Sequence, residues 1–568
     1  MSQLREHQLS EEDLPVEGSG RTRTLKGRAA IFERLLLLLI PVTSIVYILS
    51  IHTYFGMAVY PSQAAGVFFG LVLGAVFFRY RPTMKAPYDR VSWFDVLLSS
   101  LGMVVGGFIA ARFPILILSM EQTTPVRIVI SALALLLVTE AIRRTLGWTL
   151  VILVLAFVFI ARFSFLLPGP LYSGGTQWPL LLIFLYTDPG ALLNMVIIAM
   201  TIGLGFIFFG QIVLNFGGGK FLTDIAIGTL GRFRGGPAKA AVVGSGLTGS
   251  ITGGALANVM LTGPITIPMM KNIGYSPEEA AAIEAVASTG GQVLPPVMGI
   301  AVFVMAEFLG VPYADLALRA FIPAIVIYLG LLLQVDFVAM RRKMKGGTTS
   351  GMVKGGELLK KAGVFVPIVF VLVYTLFGLR LNPATVGVYS GFFALIICIA
   401  LRENRIQYWR KLLQAIEESG RTILTISIML AGAGFLIGSL LISGLAFNFS
   451  LALLHLAGGN LFALLLLTAI ASFILGCALP TVACYVLVAT LVAPALVQIG
   501  IPAIAAHMFV FYWGVVANIT PPVALAAYGA ATLARCDPIQ AGFLATRMGI
   551  LFYIVPFLFV FWPAMLLL

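Results

Sequence analysis

The segment ASTGGQVLPPVMG, residues 287–299, decides the fold of this chain because it interrupts an apolar stretch with two successive prolines. A proline ring cannot continue a helix, so Pro295 and Pro296 break the helix that precedes them. The same Pro-Pro-Val run recurs 226 residues later, at Pro521, Pro522 and Val523. That offset also aligns Pro268 with Pro494, Ile273 and Gly274 with Ile499 and Gly500, and Pro312 with Pro538. These identities in register predict two homologous halves.

The composition is that of a membrane protein. Of the 568 residues, 60% are hydrophobic and 10% are charged, and the mean hydropathy is +1.02. A hydrocarbon core about 30 Å thick needs roughly 20 apolar residues per helix, so the chain has room for many spans. No nucleic-acid motif accompanies the formal charge of +13, which fits a bias of Lys and Arg toward cytoplasmic loops. We therefore predict an all-α integral membrane protein whose solvent is lipid.

Apolar runs predict the early spans, and the basic residues between them predict their orientation. The runs lie near 35–55, 61–78, 93–111, 125–142, 148–167 and 191–215. Basic residues precede the first run and follow the second and fourth, which predicts a cytoplasmic N-terminus. The polar segment before the first run is too long and too charged for a cleavable signal peptide. The stretch 168–190 has no Lys or Arg and predicts an external segment.

The same pattern divides the chain into five parts. They are a cytoplasmic N-terminal segment (1–34), a four-span region (35–146), the region of the first repeat (147–345), a connecting region (346–421), and the second repeat with a C-terminal span (422–568). The connecting region holds a basic loop, spans near 362–379 and 384–401, and the segment 402–421. That last segment is either an amphipathic helix on the inner surface or a solvated connector.

Charge bias indicates that the two halves are inverted. The first repeat follows a stretch that carries Lys220, Arg232, Arg234 and Lys239, whereas 422–534 contains no Lys or Arg. Upstream of the Pro-Pro pairs, a one-residue slip places GSITGGALAN (249–258) opposite GCALPTVACY (476–485). Inverted repeats with Gly/Pro-interrupted segments at matching positions indicate a secondary transporter with its site near the bilayer midplane.

The two helix breaks are the candidate binding site. Freed carbonyls at membrane depth must line a protein or water cavity, where they suit a sodium ion, and half-helix N-termini suit an anion. Polar, uncharged residues precede both breaks: Thr289, Gly290, Gly291 and Gln292 before the first, Asn518 and Thr520 before the second. The alternative is that the prolines and small residues only kink tightly packed helices.

These residues resemble a known family. ASTGGQVLPPVMG with MAEFLGVPY (305–313), and ALPTVACY (478–485) with HMFVFYWGVVANITPPVALAAYGAA (507–531), resemble the large membrane subunit of TRAP transporters, in the branch served by TAXI-type binding proteins. The resemblance covers most of 190–568. Position and span count would make 30–145 the small four-span subunit, fused to the large one.

The resemblance implies an elevator-type carrier with two re-entrant hairpins and two broken helices. It implies import of a small organic acid, sodium as the coupling ion, no other cofactor, and an extracytoplasmic TAXI-type binding protein as partner. The implied hairpin tips are Thr252, Gly253, Gly254, Ala255 and Asn258 in the first repeat, and Pro480 and Thr481 in the second. The implied breaks run over Thr289–Pro296 and Asn518–Pro522, with sodium near Thr252, Thr289, Thr481 and Asn518.

The chain departs from the family pattern at both tips. Gly254 stands where a serine is usual, and Ala478 and Val482 stand where glycine and threonine are usual. Fewer hydroxyls leave both sodium stoichiometry and proton coupling open. Neither hairpin and neither break contains Lys or Arg, so helix N-termini, backbone N–H groups, Thr and Asn would hold an anion. We expect electrogenic uptake of a small mono- or dicarboxylate, such as a keto acid or acidic amino acid.

Two carboxylates within the apolar halves, Glu284 and Glu307, have two interpretations. An intramembrane carboxylate is a functional candidate. The alternative is an interfacial carboxylate or a structural hydrogen bond.

Rival functions are weaker. Scattered His, Cys and Asp residues match no metal cluster or nucleophile with its base, so we predict no enzyme. A channel does not need two broken-helix repeats. A stand-alone sodium- or proton-coupled organic anion carrier, without a binding protein, remains the alternative.

The predicted orientation can be measured by cysteine labelling in intact cells. An impermeant thiol reagent is expected to modify a cysteine in 168–190 and to leave a cysteine in the N-terminal segment unmodified until the membrane is permeabilised. Labelling of the N-terminal cysteine in intact cells would reverse the orientation.

Overall fold

The structure is a computed structural model that describes residues 21–119, 122–344, 355–400 and 405–568. Helices account for the regular structure of these residues, and eleven helices among them are long and apolar enough to cross a membrane. The prediction of an all-α, multi-span membrane protein is confirmed.

The first half of the chain runs from four separate spans into a hairpin and a broken helix. Its helices are α1 (Gly27–Ile48), α2 (Pro61–Arg79), α3 (Trp93–Leu118), α4 (Pro125–Thr145), α5 (Trp148–Phe163), α6 (Trp178–Asn215), α7 (Gly218–Leu230), α8 (Gly236–Thr252), α9 (Ala255–Asn272), α10 (Pro277–Gly290), α11 (Ile300–Leu309) and α12 (Tyr313–Arg341).

The second half begins with two spans and one long helix and then repeats the hairpin and the broken helix. Its helices are α13 (Gly355–Val373), α14 (Pro383–Ala400), α15 (Arg405–Ser443), α16 (Leu445–Ala457), α17 (Leu461–Ala478), α18 (Thr481–Leu491), α19 (Ala493–Gln498), α20 (Ala503–Val516), α21 (Leu525–Ala534), α22 (Pro538–Met548) and α23 (Leu551–Phe561).

Two connections differ from the sequence-based expectation. The segment 168–190 is helical from Trp178, where Pro179 lies in the first turn of α6, so the prediction of one external connection is wrong beyond Gln177. Asp188 and Pro189 produce a local kink, at which the Asp188 side chain accepts from the Gly190 N–H, instead of ending the helix. The described part of 402–421 continues without a break into α15, and residues 401–404 lie outside the described residues.

The repeat extends to whole helices. α10 and α20 begin at Pro277 and Ala503 and end at Gly290 and Val516, which preserves the offset of 226 residues at both ends. The hairpins obey the same offset, because α8 and α17 end at Thr252 and Ala478. The one-residue slip inferred upstream of the Pro-Pro pairs is therefore wrong. In the structural register, Gly254 corresponds to Pro480 and Ala255 to Thr481.

The two repeats interlock. Lys271, at the foot of the first hairpin, donates from Nζ to the Ala534 carbonyl at the end of α21, over 3.0 Å. Gly529 of α21 packs on the Leu256 side chain of α9, and Phe308 of α11 lies 6.1 Å from Tyr485 of α18, between ring centroids. Each half of the first broken helix thus packs on an element of the second repeat.

A buried ionic cluster ties the chain entry to the first spans. Asp95 is fully buried at the start of α3 and pairs with Arg23, which precedes α1, and with Arg144 at the end of α4, the latter over 2.7 Å. Arg23 also donates to the Phe77 and Phe78 carbonyls at the end of α2, over 2.8 and 2.9 Å. A single carboxylate thus holds together residues from four parts of the region before α5.

Replacing Asp95 with Asn is expected to lower the thermal stability of the detergent-solubilised protein. Removing one partner leaves two buried guanidinium groups without their counter-ion, a loss of about 3–5 kcal/mol for buried pairs. Asp89→Asn, at an exposed position in the neighbouring loop, is the matched control. Equal melting temperatures for the two variants would contradict a stabilising role for the cluster.

Candidate functional site

The first hairpin tip lies directly on the first helix break. Thr252 ends α8, and Gly253 adopts a left-handed conformation with φ of 68° before the extended Gly254. A Cβ atom on Gly253 would lie 3.2 Å from the Met298 carbonyl oxygen, beyond the Pro295-Pro296 pair. The tip and the break therefore approach at backbone distance, which the absence of a side chain at Gly253 permits.

The arms of that hairpin meet the break equally closely. A Cβ on Gly291 would lie 2.5 Å from the Cα atom of Gly249 in α8. Across the break, the Gly299 N–H donates to the Gln292 carbonyl over 2.8 Å, and the Tyr313 hydroxyl donates to the Pro296 carbonyl over 3.0 Å. The interruption is thus held in one shape by internal hydrogen bonds.

The second repeat builds the same contact with a side-chain hydrogen bond. The Asn518 amide donates from Nδ2 to Thr481 Oγ1 over 3.2 Å, which joins the second break to the second tip. The Ala526 N–H donates to the Asn518 carbonyl over 3.0 Å, the counterpart of the Gly299 to Gln292 bond. Thr520 instead turns toward α23, where its hydroxyl lies 2.5 Å from that of Tyr553.

Around the first break, buried polar atoms lack a partner within the protein. Thr289 Oγ1 and Gln292 Nε2 form no hydrogen bond, although both residues are buried. A buried unpaired donor or acceptor costs roughly 1–3 kcal/mol, so such atoms point to a group outside the chain. Gln292 and Asn518 occupy equivalent positions in the two repeats, each just before a Pro-Pro pair.

Asn258 lies away from the tip. It points from α9 toward α8 and α10, where Nδ2 donates to the Ser245 carbonyl over 2.7 Å and to the Ser288 hydroxyl over 3.0 Å. There it borders a polar cluster around Glu284 that the sequence analysis did not assemble. The cluster consists of Ser245, Asn258, Thr262, Thr266, Glu284 and Ser288. A signal was present, because Asn258, Thr262 and Thr266 recur at the i, i+4 spacing of one helix face, as do Glu284 and Ser288.

The predicted site residues therefore form two sets. Thr252, Gly253, Gly254, Thr289, Gly290, Gln292, Pro295 and Pro296 belong to the first tip and break, and Pro480, Thr481, Asn518, Pro521 and Pro522 belong to the second. None of the hydrogen bonds between described residues joins a polar side chain of one set to a polar side chain of the other. Glu307 is exposed near the end of α11 and is remote from both breaks along the chain.

A comparison with protein families matches residues 133–568 to the DctM component of the tripartite ATP-independent periplasmic transporters. The matched region contains both hairpins and both breaks. Most of the four-span region 35–146 precedes it.

Curated relatives share the central part of this region. A putative TRAP transporter large permease protein of Haemophilus influenzae is 25% identical over 238 residues, which are 41% of this chain and 54% of that protein. The C4-dicarboxylate TRAP transporter large permease protein DctM of Vibrio cholerae is 28% identical over 179 residues, 31% of this chain and 39% of that protein. The uncharacterized protein y4mL of Sinorhizobium fredii is 26% identical over 231 residues, 40% of this chain and 54% of that protein. The chain spans about half the length of the curated relatives it matches, or less.

Gly291→Ala is expected to push the first hairpin away from the break, because the added Cβ would overlap the Gly249 backbone. Overpacking of this kind costs about 1–3 kcal/mol, so both the melting temperature in detergent and uptake by reconstituted protein should fall. Gly363→Ala is the control, since a Cβ there meets nothing within 4 Å. Wild-type uptake by the Gly291 variant would show that this contact is dispensable.

Proposed function

We propose that this chain, which belongs to the DctM family of tripartite ATP-independent periplasmic transporters, is the membrane component of a secondary carrier that imports a small organic acid with sodium. The observation that carries the proposal is the pairing of a hairpin tip with a helix break in each repeat. Each break presents an amide side chain, Gln292 or Asn518, and the first presents polar atoms without a protein partner. Membership in a transporter family also favours a carrier over an enzyme.

A small carboxylate suits this site. The breaks and hairpins offer N–H groups, hydroxyls and amides, while basic side chains such as Lys271 lie at the hairpin foot. Donors of this kind can hold a carboxylate without a guanidinium, provided that bound cations balance its charge. We infer sodium near Thr252, Thr289, Thr481 and Asn518, whose side chains supply oxygen ligands of the hard type.

Alternating access would follow from the inverted repeats. Their interlocked hairpins and broken helices form a unit that would move as an elevator past the helices around it. The long helix α15 packs on α1, α5 and α6 and also on α18 of the second hairpin, so it can serve as part of the static scaffold. Residues 35–146, which add four spans to that scaffold, correspond in this proposal to a fused small subunit.

The partner in this proposal is an extracytoplasmic binding protein of the TAXI type, which would deliver the acid to the outer face of the inner membrane. The N-terminus is then cytoplasmic. The basic residues before α1 and after α2 and α4 support that orientation.

Uptake into proteoliposomes tests the proposal. The purified chain is expected to accumulate at least one member of a panel of keto acids, dicarboxylates and acidic amino acids when a sodium gradient and the binding protein are present. Uptake should carry net positive charge inward. Uptake of none of these acids would refute the proposed substrate class, and full activity without a binding protein would favour a stand-alone carrier.

Asn518→Ala is expected to abolish this uptake while the variant still inserts into the membrane, because the change removes the amide that joins the second break to Thr481. Asn272→Ala is the matched control, since Asn272 is exposed at the end of α9. Wild-type uptake by the Asn518 variant would remove that residue from the site.

A further inference from the structure

Glu284 is wholly buried in the middle of the first broken helix and is surrounded by hydroxyl groups from three helices. Its Oε1 atom accepts from Ser245 of α8 over 2.9 Å, from Ser288 of α10 over 3.2 Å, and from Thr262 of α9. Its Oε2 atom accepts from Thr266 of α9 over 2.6 Å. Within the described residues, Glu284 forms no ion pair. A buried ionised carboxylate requires such compensation, because its transfer out of water is costly.

The hydroxyls can serve either protonation state of the carboxyl group. Thr266 Oγ1 lies 3.0 Å from the Thr262 carbonyl, and Thr262 Oγ1 lies 2.8 Å from the Asn258 carbonyl, so each has a second acceptor besides Glu284. When Glu284 is ionised, both hydroxyls donate to it. When Oε2 carries a proton, that proton is donated to Thr266 Oγ1, whose own hydrogen turns to the Thr262 carbonyl. Every hydrogen bond is thus retained in both states.

The fold itself does not require this cluster. At the offset of 226 residues, Glu284 corresponds to Val510, Thr262 to Val488 and Thr266 to Val492, and all three valines are fully or almost fully buried. Asn258, Ser288 and Ser245 likewise correspond to Cys484, Gly514 and Ala471. The second repeat therefore builds the same helices with apolar side chains at these positions. A polar cluster that the fold can dispense with has a different task.

Other charged groups on the surrounding helices are held elsewhere. Tyr328 of α12 is the titratable side chain that faces Glu284, and its hydroxyl donates to the Ala287 carbonyl over 2.8 Å. The remaining charged or titratable residues on the packed elements have their own partners or are exposed: Lys239 with Asp336, Lys271 on the Ala534 carbonyl, Glu279 with Arg342, Tyr528 on the Pro522 carbonyl, and Arg547 in solvent.

We propose that Glu284 is a proton-binding site of the carrier, which takes up a proton when the organic acid binds and releases it on the other side of the membrane. This inference rests on the proposed transport function. Five residues of helix separate Glu284 from Thr289 at the break, an axial rise of about 8 Å. At that distance a carboxylate in a poorly screened interior repels an anionic substrate, so protonation of Glu284 favours substrate binding.

A proton fits the cluster better than a metal cation. The oxygen atoms around Glu284 already lie at hydrogen-bonding distances from its carboxylate, which leaves no gap for an ion between them. Gain and loss of a proton need only hydroxyl rotation. The proton comes from water on the outer side and returns to water on the inner side, so no other reactant is needed.

Proton movement can be followed in proteoliposomes that contain the full chain and a trapped pH-sensitive dye, with a saturating sodium gradient and an acid identified in the uptake panel. Wild-type protein is expected to acidify the lumen in step with uptake. Glu284→Gln keeps the shape of the protonated group, so it should retain exchange of labelled for unlabelled substrate and lose the coupled acidification. Glu307→Gln, at the exposed carboxyl of α11, should retain both.

Infrared titration of the purified protein provides a readout that is independent of transport. A carboxyl stretching band that appears on acidification and is absent in Glu284→Gln would assign the proton to this residue, even if no acid of the panel is transported. If that variant does not insert, titration of the wild-type band against that of Glu284→Asp replaces it, and a shifted midpoint is expected. Wild-type uptake without acidification, an unchanged proton ratio in Glu284→Gln, or a carboxyl band that does not respond to pH would overturn the proposal.

Discussion

The structure depends on one constraint, which is that a membrane helix can be interrupted only where the freed backbone groups find partners inside the protein. Each unsatisfied group in hydrocarbon costs several kcal/mol. At the first break these partners are the Gly299 N–H and the Tyr313 hydroxyl, and at the second they include the Ala526 N–H. The hairpin tips complete both shells, so each hairpin and its broken helix must stay together. That requirement explains why glycines face each other where α8 meets the first break.

The two repeats share a framework and differ in what they hold. Their helices begin and end at the same offset, and both breaks present an amide, Gln292 or Asn518, just before the prolines. The first repeat alone buries a carboxylate among hydroxyls, where the second buries valines. Duplication therefore accounts for the architecture, while substitution within one copy accounts for a charge that can be placed beside the binding site.

Much of this architecture could be predicted from the sequence, because the signals are local. Proline pairs, apolar runs and the offset of 226 residues predicted the spans, the breaks and the repeat. Long-range partners were not predictable. Asp95 meets Arg144, and Glu284 meets Ser245, only after helices pack, and no spacing in one segment encodes those contacts. The helix from Trp178 was missed because Asp188-Pro189-Gly190 is typical of a turn but lies within a kinked span. The slip at the hairpins arose from aligning two prolines and small residues by type, whereas helix ends fix the register.

The central claim is that the two tips open toward opposite sides of the membrane and enclose one site. Thiol accessibility tests it most directly, in a chain from which Cys398, Cys477, Cys484 and Cys536 have been removed. A cysteine at Thr481 is expected to react with an impermeant reagent from the outside, and a cysteine at Thr252 from the cytoplasmic side in inverted vesicles. Sodium together with substrate should protect both. Reaction of both cysteines from the same side, without any effect of sodium and substrate, would contradict the account.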